Sequence, residues 1–206
     1  MAIGTAKANG VAGKVAVLEI PPLTVRVVRL RLVGDSPLIV HAWSKKAKEA
    51  MLAKQMKKAA PGKEAKNPRE DYEAAFYYTE DGAYGFPSVA FKSAAVDAAT
   101  QVSGLTKTFL RGAFHTVGEM VAIDGEPRMR EDMVRVGMGT ADIRYRPEFP
   151  TWAATVEVRY STTAITLEQL VHLFNAAGFS CGIGEWRPQR DGSYGMFHVE
   201  SLEEVS

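Results

Sequence analysis

Two groups of residues in this chain have the chemistry to hold a phosphate-bearing polymer. The first lies in a glycine-punctuated stretch, Gly182-Ile183-Gly184-Glu185-Trp186-Arg187, running on to Gly192-Ser193-Tyr194-Gly195. Glycines let a backbone approach a ligand closely, and their N–H groups can face a phosphate. Trp186 and Tyr194 offer rings for stacking on bases, and Arg187 and Arg190 offer phosphate contacts. The same spacing describes a hairpin-like turn with an aromatic plug, and spacing alone leaves the two readings level. The second group is basic. From His41 to Lys66 eight lysines stand against two glutamates, a net +6, with Lys45, Lys46, Lys48, Lys54, Lys57 and Lys58 among them. Gly104 to His115 adds Lys107 and Arg111 with no acid. The whole chain carries only +1, so this basicity is segregated, which is the form an electrostatic footprint takes. A solvated face has the same look.

Signatures of catalysis are missing. There is no GxxxxGK[ST], GxSxG or HExxH run. Gly182-x-Gly184 lacks a third glycine and follows a helical pattern instead of a strand, so it is no dinucleotide fingerprint. His41, His172 and His198 read as structural or surface histidines, whereas His115 follows Lys107 and Arg111 in the basic segment. Cys181 is the lone cysteine, which excludes an internal disulfide or a cysteine-rich zinc site; without a neighbouring base it is a weak nucleophile. Glu70, Asp71, Glu73, Asp132 and Asp142 are carboxylates of the kind that bind a metal and cut a phosphodiester, but polar loop residues explain them better. No catalytic residue, metal or cofactor is expected, and a metal-dependent RNase using Asp71 is the one enzymatic alternative kept.

The elements that would position these groups follow from pattern. With 206 residues, 46% of them hydrophobic, the chain can bury a real core. Residues 1–20 read as a flexible arm, and 21–206 as a single domain. Leu23 to Val33 is a strand whose alternation slips at Val27-Val28, which suggests a bulge. Ser44 caps a lysine-rich helix that Pro61-Gly62 should stop near Ala60. Lys63 to Tyr72 is loop-like, Ala74 to Tyr78 a short strand, and Ser88 to Val102 a helix. Strands follow at Glu119–Ile123 and Met133–Val136, then a polar excursion to Pro150, a strand over Trp152–Tyr160, and a helix Leu167–Ala177 with Thr166 and Gln169 as a capping box and Gly178 at its end. Tyr194 to Leu202 is the last strand. The order is that of an α+β, ferredoxin-like βαββαβ core. No run approaches 18 apolar residues and Met1 to Lys14 has no apolar signal region, so no membrane association and a cytoplasmic location are expected.

Gly85-Phe86-Pro87-Ser88-Val89-Ala90-Phe91-Lys92-Ser93-Ala94 resembles the opening of the first helix in the RAMP superfamily of CRISPR-associated proteins. The glycine-rich stretch after the last helix is similar to the loop that precedes that family's final strand, and the strand entering Gly34-Asp35-Ser36-Pro37-Leu38 also fits. The resemblance runs in family order from about Leu23 to Val199. GIGEWRP and Glu126-Pro127-Arg128-Met129-Arg130 also resemble uncharacterised prophage proteins.

The resemblance implies a backbone subunit of a multisubunit effector: an RRM-like core that polymerises side by side into a helical homo-oligomer along single-stranded RNA. It implies a lysine-rich insertion at about 36–86, a thumb-like hairpin at about 124–150, and Lys92, Arg187 and the glycine loop near the nucleic-acid backbone. Lys107, Arg111 and Arg190 join them as positioning cations; Trp186, Tyr194 or Phe114 would stack. The alternatives are a phage single-stranded-DNA-binding or annealing protein, and a structural or inhibitor subunit that uses the fold without nucleic acid. Other effector or phage proteins are further possible partners.

Overall fold

In the first strand, β1 (Val25–Gly34), Val28, Leu30 and Leu32 are buried while Arg29 points to the other side. No slip occurs at Val27-Val28: both Val25 and Val27 lie on the arginine side, and the bulge falls opposite Arg31 and Leu32, where the last strand skips Glu200. The computed structural model describes residues 22–57, 65–102, 104–136 and 139–205. The expected N-terminal arm and Lys58 lie outside the described residues.

The elements after β1 are β2 (Leu38–Ile39), α1 (Lys45–Gln55), α2 (Pro68–Ala74), β3 (Tyr77–Tyr78), β4 (Tyr84–Pro87), α3 (Ser88–Asp97) and α4 (Lys107–Ala113). They continue with β5 (Phe114–Thr116), β6 (Met120–Asp124), β7 (Arg128–Val136), β8 (Thr140–Phe149), β9 (Ala153–Ser161), α5 (Leu167–Ser180) and β10 (Phe197–Val205). All strand pairs are antiparallel. The main sheet runs β10-β1-β9-β6-β4-β3, with β5 also on β9; a second sheet runs β2-β8-β7. Taking β5 and β6 together as the second strand, β1, α3, β5/β6, β9, α5 and β10 reproduce the ferredoxin-like βαββαβ pattern in a mixed α+β fold.

The core lies between this sheet and two helices. Val28, Leu30, Leu32, Ala154, Val156 and Val158 form one buried cluster with Phe91, Ala94 and Ala95 of α3 and Leu170, Leu173, Phe174 and Ala177 of α5. The capping box at Thr166 and Gln169 is formed. Gly178 does not end α5; a Cβ there would lie 1.7 Å from the Phe197 carbonyl oxygen, so the glycine lets the helix pass close over β10.

Other local readings change. Helix α1 stops at Gln55, five residues before Ala60, and Lys57 has a left-handed backbone just beyond it. The expected loop before Tyr72 holds α2, whose cap Asn67 accepts from Arg69 N and Glu70 N. The helix expected to reach Val102 gives way after Asp97 to a 3-10 turn. Lys107 and Arg111 ride on the short helix α4, capped by Thr106. The polar excursion is strand: β7 and β8 pair in register from Arg128↔Glu148 to Val136↔Thr140. Among the described residues no helix is long and apolar enough to cross a membrane.

Candidate nucleic-acid interface

The glycine loop between α5 and β10 is stitched to β2 and to itself. Glu185 N donates to Ile39 O at 2.9 Å, Gly195 N to Pro37 O at 2.8 Å, and Ile183 N to Gly195 O at 3.0 Å. Gly195 has φ +65 and a Cβ there would stand 1.8 Å from Ile183 O, so this crossing admits only glycine. Trp186 is also left-handed, at φ 54, and is held so by Tyr194 N donating to its carbonyl at 3.0 Å. A bulky residue in that region is strained by roughly 1–2 kcal/mol. Trp186 is 41% exposed as a residue.

Behind it, Arg187 Nη1 donates to Gly184 O at 2.9 Å and its Nε to Gln189 Oε1 at 3.3 Å. Gln189 Nε2 donates to Asp97 Oδ2 at 2.7 Å, and Lys107 Nζ to Asp97 Oδ1 at 2.8 Å. The Lys107 bond leads the effects that hold the Asp97 carboxyl below the usual carboxylate range. Arg190 is exposed.

Three cavities adjoin along this side. The first, about 480 Å³, lies between α1, α2 and β8 and is walled by Trp43, Met51, Lys66, Asp71, Asp142 and Tyr145, among others. The second, about 400 Å³, lies between the start of α3 and Gly182–Gly184, with Val89, Ala90, Ser93 and Arg187 in its wall. The third, about 420 Å³, is lined by Val134, Arg146, Glu185, Trp186, Arg187 and Arg190. His41 stands between the first and second, and Glu185 and Arg187 between the second and third. We call this run of cavities with shared walls the trough.

A buried charge network supports its floor. Hairpin β7–β8 turns Arg128, Arg130 and Asp132 and, opposite them, Arg146 and Glu148 to one side. Arg130 Nε donates to Asp132 Oδ1 at 2.8 Å, Arg146 Nη1 to Asp132 Oδ2 at 3.3 Å, and Arg128 Nε to Glu148 Oε2 at 2.8 Å. Arg146 is only 2% exposed, and its Nε has no partner among the described residues. Arg130 also lies 4.8 Å from the centre of the Tyr194 ring and donates Nη1 to the Tyr194 hydroxyl at 3.1 Å. One face of Tyr194 is therefore covered.

The structure brings Trp186, Arg187 and Arg190 to the trough and links Lys107 to it through Asp97. Lys45, Lys46, Lys48, Lys54 and Lys57 are exposed on or just after α1 beside the first cavity, with Lys45 3.9 Å from Glu49. Lys92 and Arg111 form a separate group: Lys92 Nζ donates to Arg111 O at 3.0 Å and meets His115 Nδ1 at 2.9 Å, and its burial lowers its pKa. Phe114 cannot stack on a base, because it is fully buried against Phe174. Asp71 lines the first cavity, and among the described residues no three His, Cys, Asp or Glu side chains gather as metal ligands.

His41, Trp43, Tyr145 and Arg146 escaped the sequence reading. Trp43, 57% exposed next to the helix cap Ser44, carried the one usable signal, an aromatic at the head of a lysine run.

The opposite, open face of the sheet is a different surface. Arg29 sits 3.1 Å from Glu157 and 3.8 Å from Glu203, and Arg31 pairs with Asp124. Tyr160 and Phe197 are the Tyr, Trp and Phe residues of β1, β9 and β10, and both are buried, so these three strands offer no such ring for stacking.

His41 gives the site a pH signature. Burial, then the Arg146 charge, lowers its pKa below the usual value near 6.5, with Glu185 and Asp71 opposing. The unfolded chain therefore takes up this proton at a higher pH than the folded one. Stability should fall as pH drops below about 6.5 and be fully present above it. The urea midpoint should be lower at pH 5.5 than at pH 7.5, and His41→Gln should shrink that difference; an undiminished difference would remove His41 as its source.

Fold and trough thus define an α+β protein with adjoining cavities beside a glycine loop, the third of them lined by three arginines, one glutamate and Trp186. No protein-family model matches the chain, and no curated protein matches its sequence. Solved structures do. A chain in the cryo-EM structure of the Type III-B Cmr-beta bound to cognate target RNA is similar at a TM-score of 0.52 and 8% identity, over 88% of this chain and 61% of that one. This chain thus spans about three-fifths of that chain's length. Cmr6 from Pyrococcus furiosus is similar at a TM-score of 0.45 and 12% identity, over 86% of this chain and 100% of that one. At such identities the likeness to the first is one of fold.

Proposed function

We infer that this chain binds single-stranded nucleic acid, RNA foremost, without cutting it, and that copies assemble side by side along the strand. The observation that carries this reading is the junction in the second cavity. There α3 begins after Pro87 with no side-chain cap bond, Ser88 N donates to Glu119 O at 2.8 Å, and Val89 and Ala90 of its first turn line a space shared with Gly182, Gly184, Glu185 and Arg187. A helix start without a side-chain cap, a glycine backbone and a guanidinium are phosphate chemistry. Arg190 and Trp186 continue it on one side, and the α1 lysines supply sequence-independent attraction on the other. The ion pairs that occupy Arg29 and Arg31, and the lack of a Tyr, Trp or Phe ring for stacking on β1, β9 and β10, argue against binding on the open sheet face as an RRM would.

Hairpin β7–β8 would reach the neighbouring copy. Its cross-strand pair Met133 and Ile143 is 79% and 43% exposed, an apolar pair suited to an intersubunit contact. The fold likeness to a chain of an RNA-bound assembly supports this reading by analogy.

Fluorescence anisotropy with labelled single-stranded RNA, single-stranded DNA and duplex DNA of equal length tests the proposal. Tightest, sequence-tolerant binding of RNA is the expected result. A preference for single-stranded DNA would move the reading to a phage strand-binding or annealing protein. No binding of any of the three at low salt would overturn it and leave a structural or inhibitor subunit.

A further inference from the structure

We propose that the third cavity, between hairpin β7–β8 and the glycine loop, is a discrete subsite for one nucleotide bearing a phosphate monoester, with its base on Trp186. This rests on the nucleic-acid reading above and adds to it a defined ligand and a residue, Arg146, that the reading does not use.

The cavity of about 420 Å³ falls within the size range of small-ligand pockets, and its wall holds Arg146, Arg187 and Arg190 against the single acid Glu185. The surplus of two positive charges matches the near-dianionic phosphate monoester, while a diester inside a strand carries only one negative charge. Glu185 is already counted in this surplus, and its carboxylate lies 3.9 Å from both Arg146 and His41.

Arg146 is the second, independent sign of a ligand. It is 2% exposed and lines the cavity, yet its Nε has no hydrogen-bond partner among the described residues. A buried, unmatched guanidinium donor is costly and asks for an acceptor. Asp132 fixes the far side of the group at Nη1, so it is held in one orientation.

Trp186 supplies the third. Its left-handed backbone is locked from both sides: Tyr194 N donates to its carbonyl, and Gly192 packs so closely that a Cβ there would meet that oxygen at 1.7 Å. Strain of this kind persists where the surroundings enforce it, and here it sets an indole at the mouth of an arginine-lined cavity. Arg190, exposed on the same rim, completes the set without an ion pair in the described residues.

A free mononucleotide and the terminal nucleotide of a strand share this chemistry, and the test separates them. Calorimetric titration of the full chain with AMP, adenosine and inorganic phosphate is the direct measurement. AMP should bind at least tenfold more tightly than either fragment. Arg190→Glu, at an exposed position, should weaken AMP at least tenfold, Trp186→Ala should bring it to the level of phosphate, and Arg146→Met should do likewise if it folds. In competition, a 5′-phosphorylated RNA oligonucleotide outcompeting its 5′-hydroxyl twin would assign the site to a strand end. Equal competition by the two, with AMP still bound, would assign it to a free nucleotide. No AMP binding at millimolar concentration, or AMP binding unchanged by Arg190→Glu, would overturn the proposal. Long single-stranded RNA bound without AMP would sink the subsite alone, whereas AMP bound without RNA would sink the polymer reading and keep the subsite.

Discussion

Asp132→Ala will destabilise the protein by about 3–5 kcal/mol, the size expected when one partner of a buried ion pair is removed. Asp132 is 8% exposed and is shared by two guanidinium groups, Arg130 at 2.8 Å and Arg146 at 3.3 Å. Without it, Arg146 keeps only Glu185 at 3.9 Å, with its Nε already unmatched. Small domains are stable by only about 5–15 kcal/mol, so the loss would be a large share of the total. The reverse change should be milder. Arg146→Met removes the buried cation and its orphan donor while Asp132 keeps Arg130, so it should cost less than half as much as Asp132→Ala. Urea unfolding of both variants checks the asymmetry. Equal losses would mean that the network is not organised around Asp132.

Arg187→Glu together with Arg190→Glu will weaken single-stranded RNA binding by roughly 50- to 100-fold at 50 mM salt. The magnitude follows from counterion release: each single-strand phosphate contact contributes about 0.7 to the slope of log K against log salt, and two contacts are lost. Arg187 lines the second and third cavities, and Arg190 lines the third with it. Arg159→Glu, on the open sheet face opposite Val27, is the matched control and should change affinity less than about threefold. If the control weakens binding as much as the pair does, RNA lies on the sheet.

How much of this was legible in the sequence depended on what each face buries. Strand β9 alternates Ala154, Val156 and Val158 against Thr155, Glu157 and Arg159, and α5 announces itself by Thr166 and Gln169; both are found within a residue or so at their starts. Hairpin β7–β8 was only partly legible because its inward face is Arg130, Asp132, Arg146 and Glu148, so its alternation is one of charge and not of hydrophobicity. Helix α2 was missed although Asn67-Pro68 and Glu70 are start signals, because its residues are too polar to make an apolar stripe. In the site, glycines and arginines of one segment pointed to the loop directly. Trp43, His41 and Arg146 reach the trough only through the pairing of β2 with β8 and the loop's bonds to Ile39 and Pro37, long-range contacts that no local pattern encodes. The burial of Phe114 comes from the pairing of β5 with β9, which tucks it against Phe174.

The central claim is that RNA is held by cations of the trough, and the salt dependence of its binding tests that most directly. Anisotropy of one labelled single-stranded RNA, titrated from low to moderate salt, gives the slope of log K against log salt for the native protein and for the Arg187→Glu, Arg190→Glu pair. A steep negative slope is expected for the native protein and one shallower by about 1.4 for the pair, two contacts at about 0.7 each. A native slope near zero, or identical slopes for both proteins, would contradict it.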